Sequence, residues 1–274
     1  MSRLISLASG VLPEFTPSQT AAAAIDSGWP AVGIWVDPET WTDAIARDVG
    51  DRTRDAGVAI LDVEVVWLQP GPDLDAHERI LDAGAAIGAR NVLVVSSDPD
   101  PASTAAKLGR LVDLGRDRGL RVCLELAAFT KVRSLAAALD ILERTGRPDA
   151  ALMIDPLHLA RTGGLPADVH AVDPVRLPYA QFCDATAIGP DPGDVDAIIA
   201  EALDDRLSIG EGELPLRNWL DALPPDTPLS IELRSKALRD GYPDATDRAA
   251  ALLASTRTAL TGLEPQRQRK DRTR

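Results

Sequence analysis

Cysteine is nearly missing from the 274 residues: Cys123 and Cys183 are the only two. Two thiols cannot form a disulfide framework, so reduced thiols and a cytoplasmic location are the expectation. Aromatic residues make up 4% of the chain, which leaves an apolar interior to be built from Ala, Val, Leu and Ile. No apolar run approaches the roughly 18 residues that a membrane span needs. The Met1–Leu7 stretch lacks the layout of a signal peptide, because Pro13 and Glu14 soon interrupt it. Positive charge is also short. The net charge of −13 removes the basic face that a nucleic-acid binder normally presents, so neither nucleic acid nor a membrane is an expected partner. The exception is the basic stretch Gln266–Arg274. It has no apolar residue to pack, and residues 263–274 are expected to be a disordered tail.

Short apolar runs rich in Val, Ile and Leu alternate with longer Ala-rich amphipathic stretches. The runs are Leu4–Ala8, Ala31–Val36, Ala59–Trp67, Asn91–Ser96, Leu120–Leu126, Ala151–Asp155, Leu177–Cys183 and Leu229–Leu233. Helical patterns lie at Pro17–Ser27, Trp41–Ala56, Asp75–Gly88, Ala102–Arg118, Val132–Thr145, Val195–Ala202 and Ala245–Leu260. Thr16-Pro17 reads as a helix start, and Gly57, Gly88, Gly119 and Gly146 sit just past helical stretches, where a left-handed residue closes a helix cheaply. Strands alternating with helices imply parallel pairing through crossovers, and runs such as Val92–Val95 are apolar on both parities, as doubly buried strands are. Eight such units in residues 1–262 predict an α/β fold, a single (β/α)8 TIM barrel. A doubly wound open sheet is the alternative, weakened because no G-x-G-x-x-G follows the first run.

Polar residues at the C-terminal ends of barrel strands read as functional. Runs five to eight carry Glu125, Asp155, Gln181 and Glu232 near their ends. Alternation gives Cys123 and Glu125 one face, Gln181 and Cys183 one face, and Ser230 and Glu232 one face. With Leu and Ile turned to the helices, Glu125, Gln181 and Glu232 point into the barrel mouth, and Asp155 follows by position. Isolated carboxylates inside apolar strands are expensive to bury, and three converging ones repel unless a cation sits between them. The all-oxygen set suits one hard divalent ion, Mn²⁺ or Mg²⁺.

These residues resemble the xylose-isomerase-like barrel family of sugar-phosphate isomerases and epimerases over nearly the whole chain. The resemblance rests on Leu124-Glu125, Asp155-Pro156-Leu157-His158, Gln181-x-x-Asp184, Gly210-Glu211-Gly212-Glu213-Leu214 and Ile231-Glu232. It implies a divalent ion held by Glu125, Asp155, Gln181 and Glu232, with His158 contacting a small-molecule substrate. Gln181 stands where many sugar epimerases of the family carry His. The resemblance further implies an isomerase or epimerase acting on a sugar, keto-sugar or related polyhydroxy compound. Such an enzyme removes a proton next to a carbonyl to form an enediolate, with Glu125 and Glu232 as the proton-moving pair. A 3-dehydroshikimate-dehydratase-like lyase is the alternative on the same scaffold. A DNA-repair endonuclease relative would need more than three histidines and a basic cleft.

Other residues leave two readings open. Glu64 is either a pocket residue or the partner of a nearby arginine. Arg133, Arg161 and Arg234 follow strand ends and could each hold a substrate carboxylate or phosphate, or be surface residues. Trp35 and Trp67 could wall the substrate or sit at the core rim. The oligomeric state, homo-oligomer included, is left open.

Overall fold

A computed structural model of the chain describes residues 3–72 and 75–263. The strands are β1 (Ile5–Leu7), β2 (Ala31–Trp35), β3 (Ala59–Leu68), β4 (Asn91–Ser96), β5 (Arg121–Glu125), β6 (Ala151–Ile154), β7 (Tyr179–Phe182) and β8 (Leu229–Ile231). The helices among the described residues are α1 (Pro17–Ser27), α2 (Asp43–Ala56), α3 (Asp75–Ile87), α4 (Pro101–Asp117), α5 (Leu135–Thr145), α6 (Pro156–Arg161), α7 (Pro166–His170), α8 (Val195–Asp204), α9 (Leu216–Ala222), α10 (Lys236–Gly241) and α11 (Ala245–Leu263). The strands close in sequence order, β1 pairing β8, and every pair is parallel. This is a single (β/α)8 barrel, not an open sheet. No described helix is long and apolar enough to cross a membrane. The basic tail expected from residue 263 lies, apart from Leu263, outside the described residues.

Local chemistry sets the helix ends. Thr16 and Gln19 form a reciprocal capping box at α1, with Pro17 at its first position. Gly57, Gly88, Gly119 and Gly146 all adopt positive φ, between 64° and 75°, the region where a side chain would clash. The short helices α6, α7, α9 and α10 were not legible as periodic patterns, since five to seven residues give too few repeats.

The core has two shells. Inside the barrel, Ala31, Leu61, Leu93, Cys123, Ala151, Met153 and Tyr179 pack together. The scarce aromatics mean that small alanines and one tyrosine fill this layer. Between barrel and helices lies the larger cluster, in which Leu7, Val63, Val66, Leu124, Ile154 and Phe182 belong to the outward strand faces. Strict alternation would put Asp62, Glu64 and Val66 on one face. The register shifts between Val63 and Val66, so Val66 joins the outer cluster while Val65 packs against the inner one.

Candidate active site

The end of β5 carries Glu125, 5% exposed. After β6 the chain turns at once into α6, and Asp155 caps it: the Leu157 N–H donates to Asp155 Oδ1 at 2.8 Å. One turn later α6 delivers His158, whose Nε2 lies 3.7 Å from Glu125 Oε1 and 3.9 Å from Asp155 Oδ2. Gln181 comes from β7, and Glu232 lies just past β8 with its N–H on Phe182 O. Alternation pointed Glu125, Gln181 and Glu232 to this end of the barrel and strand position pointed Asp155 there, while His158 was reached through the resemblance. All but Asp155 line one cavity of about 140 Å³, and Asp155 sits directly behind it, bonded to the cavity residue Arg206.

Arg206 was not legible as a site residue. Its only signal was a lone cation between α8 and the Gly210–Leu214 loop. It is 3% exposed, and its Nη1 donates to Asp155 Oδ2 at 2.7 Å while Nη2 lies 2.8 Å from Glu232 Oε2. Nε donates to Ala202 O at 2.8 Å. The guanidinium is thus a counter-ion shared by two acids from neighbouring parts of the mouth.

Glu64 is a cavity residue, 2% exposed. Its Oε2 accepts from Ser9 Oγ at 2.9 Å and its Oε1 from Gln181 Nε2 at 3.4 Å. That second contact turns the Gln181 amide so that Oε1 is left buried without a partner. A buried carbonyl oxygen with nothing to accept from is costly, and calls for a ligand. Asp62, two residues earlier, is fully buried, with Glu64 and Tyr179 as its polar neighbours. It sits against Gly33, where a Cβ would come within 2.8 Å of Asp62 Oδ1.

Burial dominates the protonation of this cluster. It pushes Glu125 well above the carboxylate range, helped by the charges of Asp155 and Glu232. It raises Glu232 to about 7 against the opposing pull of Arg206, and Glu64 to about 8 with the help of Asp62. Asp62 rises to about 6. Asp155 alone goes down, because Arg206, His158 and the Leu157 N–H together outweigh its burial. Burial lowers His158 to about 4, so its imidazole is neutral near pH 7.

The three arginines separate. Arg234 lines the cavity. Arg161 does not: it forks onto Glu201 with bonds of 2.7 and 2.6 Å and reaches Thr186 O. Arg133 is exposed and donates to Pro192 O. Trp35 and Trp67 both line the cavity and are 46% and 40% exposed. Trp67 stands 6.2 Å from Phe129, which meets His158 edge-on at 5.3 Å. Phe129 was not singled out by the sequence. Asp184 organises the Gly210–Leu214 loop by accepting from the N–H groups of Gly210, Gly212 and Leu214. A Cβ on Gly212 would fall 2.4 Å from Ala185 O, so this approach requires glycine.

A family model described as xylose isomerase-like TIM barrel matches residues 21–257. The chain belongs to this family. None of the curated proteins compared matches it. Among solved structures, this xylose isomerase-like barrel is similar to a xylose isomerase-like TIM barrel/4-hydroxyphenylpyruvate dioxygenase fusion protein (TM-score 0.77, 20% identity). That match covers 97% of this chain but only 46% of the fusion, so the chain spans about half of that protein's length. It is also similar to an IOLI protein with a zinc atom bound (TM-score 0.75, 16% identity, 94% and 97% covered). A third is a D-allulose 3-epimerase from Methylomonas sp. (TM-score 0.67, 15% identity, 96% and 98% covered). At these identities the likeness establishes the fold. Among the described residues, Glu125, Asp155 and His158 bring one potential metal-ligand atom each within 4.8 Å of the others.

Proposed function

We propose that this barrel is a divalent-metal-dependent isomerase or epimerase acting on a sugar, keto-sugar or related polyhydroxy compound. The observation that carries the reading is the unpartnered Gln181 Oε1, buried in a cavity walled by Glu125 and Glu232 with Asp155 behind. The donors fit a hard cation: three carboxyls and one amide oxygen, one of them orphaned. Glu125, Asp155, Gln181 and Glu232 would hold the ion, Mn²⁺ or Mg²⁺. The zinc in the IOLI relative and the epimerase activity named for the Methylomonas protein agree with this reading. Bound there, the ion would supply Lewis acidity towards a substrate carbonyl.

His158 also stands in the geometric triad, yet its surroundings favour a donor role. The Ala128 N–H donates to its Nδ1 at 3.5 Å. A neutral imidazole that accepts at Nδ1 carries its proton on Nε2, and that nitrogen then has no lone pair for an ion. Nε2–H is instead available to a substrate oxygen as charge develops on it. With the ion bound, both glutamates would be ionised, and Glu232 and Glu125 would be the pair that takes a carbon-bound proton and returns one. β6 and β7 separate the two strands that carry them, so they approach a substrate from different sides. Arg206 keeps Asp155 ionised throughout. Trp35, Trp67 and Phe129 would form an apolar wall beside the substrate.

The test is proton NMR of candidate substrates in D₂O with metal-loaded and chelated protein. Deuterium appearing in an isomer or epimer, only with metal, supports the proposal. An alkene product would replace it with the lyase reading. Turnover unchanged by chelation would overturn the metal dependence.

A further inference from the structure

We infer that Glu64, held by Ser9, is a positioning residue that turns the Gln181 amide so that its oxygen, not its nitrogen, is presented to the ion. This rests on the metal site of the proposed function and adds to it a residue outside the ligand set. Glu64 is an acid of the cavity wall that the proposed chemistry leaves without a task. Both of its oxygens are engaged: Oε2 accepts from Ser9 Oγ at 2.9 Å, and Oε1 accepts from Gln181 Nε2 at 3.4 Å. Strands β3 and β7 stand four places apart in the eight-stranded ring, so the second bond crosses the barrel interior. Asp62 is a further polar neighbour of Glu64. A Cβ on Gly33 would come within 2.8 Å of Asp62 Oδ1 and 3.3 Å of Ser9 N. The glycine thus leaves the room in which Ser9 and the two acids of β3 meet.

A glutamine amide carries a donor end and an acceptor end of nearly the same shape, and only the oxygen has a lone pair to offer a cation. The β7 backbone fixes where the side chain starts, not which end of the amide leads. That choice falls to whatever meets the nitrogen. Here Glu64 Oε1 accepts from it, and Gln181 Oε1 is left buried without a partner. The reverse orientation would set the amide oxygen against a carboxyl oxygen and turn the N–H groups towards the place of the cation. Glu64 need not be charged to act, because a neutral carboxyl also accepts from an N–H. Removing a partner of this kind, which orients a ligand without touching the ion, typically costs roughly 10–100-fold in metal affinity.

The test is the Mn²⁺ affinity of the full chain, read by isothermal titration calorimetry with no substrate present. Glu64→Leu and Glu64→Gln lose the same charge, but only the glutamine keeps an acceptor for the Gln181 N–H while its own amide nitrogen faces Ser9 Oγ. Glu64→Leu should weaken Mn²⁺ by roughly 10–100-fold, and Glu64→Gln should recover part of that loss. The recovery should vanish in a Gln181→Leu background, where no amide is left to turn. Ser9→Ala leaves every cavity charge in place and should weaken Mn²⁺ by roughly 3–10-fold, again only while Gln181 is present. Circular dichroism and melting in chelator identify any variant that fails to fold, and the Ser9→Ala comparison carries the test if the Glu64 variants do. Three results would each overturn the inference while leaving the metal site standing: equal Kd values for Glu64→Leu and Glu64→Gln, a difference between them that persists in Gln181→Leu, or an unchanged Kd in Ser9→Ala. A wild-type chain that binds neither Mn²⁺ nor Mg²⁺ would overturn both.

Discussion

Replacing Arg206 by Met keeps the length and apolar stem of the side chain but removes its charge. The guanidinium is 3% exposed and bonds Asp155 at 2.7 Å and Glu232 at 2.8 Å. Without it, the metal-free protein must hold Asp155 and Glu232 beside Glu125 and Glu64 with no buried cation. Breaking a buried pair by removing one partner costs about 3–5 kcal/mol, because the remaining charge is left uncompensated. For a chain of 274 residues that is a fall in melting temperature of roughly 5–9 °C. A divalent ion bound among Glu125, Asp155, Gln181 and Glu232 would supply the lost positive charge. It would stabilise both proteins by mass action, and the variant more, because Asp155 and Glu232 are freed from Arg206 to bind it. The loss in Arg206→Met should therefore be large in chelator and smaller in excess Mn²⁺, by about 1.4 kcal/mol for each tenfold gain in the variant's affinity. Melting of wild type and variant by differential scanning fluorimetry, with chelator and across a Mn²⁺ titration, measures both. An equal loss in the two conditions would refute the reasoning and reduce Arg206 to a packing residue. No loss in chelator would show that the acids fold protonated and need no counter-ion.

Glu232→Gln should retain measurable metal by elemental analysis yet lose turnover by roughly 10²–10⁴, the range of general base catalysis; full metal with full activity would defeat the proton-transfer role. His158→Ala should leave metal content nearly intact while weakening catalysis, and complete loss of metal would instead make His158 a ligand. Glu64→Gln tests the buried acids by pH. The folded pKa of Glu64, about 8, lies above its ordinary 4.5, so its contribution to metal-free stability is fully present below 4.5 and is lost as pH rises through about 8. The Gln variant should lack that decline, seen as a flatter melting temperature between pH 5 and 8 in chelator. Equal pH slopes would mean that Glu64 is ionised in the folded protein.

The elements were written locally. Eight β-rich apolar runs, the Thr16 cap and four positive-φ glycines fixed where strands and helices lie, because periodicity and capping act within a few residues. Glu125, Gln181 and Glu232 could be placed on the inward face for the same reason: alternation holds on short strands such as β5 and β7. It failed on the ten-residue β3, where a register shift turns Val66 outward, since pairing with β4 outweighs local parity. Barrel closure, the pairing of β1 with β8, is a long-range contact that no local pattern states. Only the tertiary structure could sort the arginines. Arg133, Arg161 and Arg234 all follow strand ends, yet Glu201 captures Arg161, Arg133 stays outside, and Arg206, from a loop with no pattern of its own, reaches Asp155 and Glu232. A long flexible cation goes to whichever acid the folded chain brings within reach, and those acids lie 40, 51 and 26 residues away along the sequence.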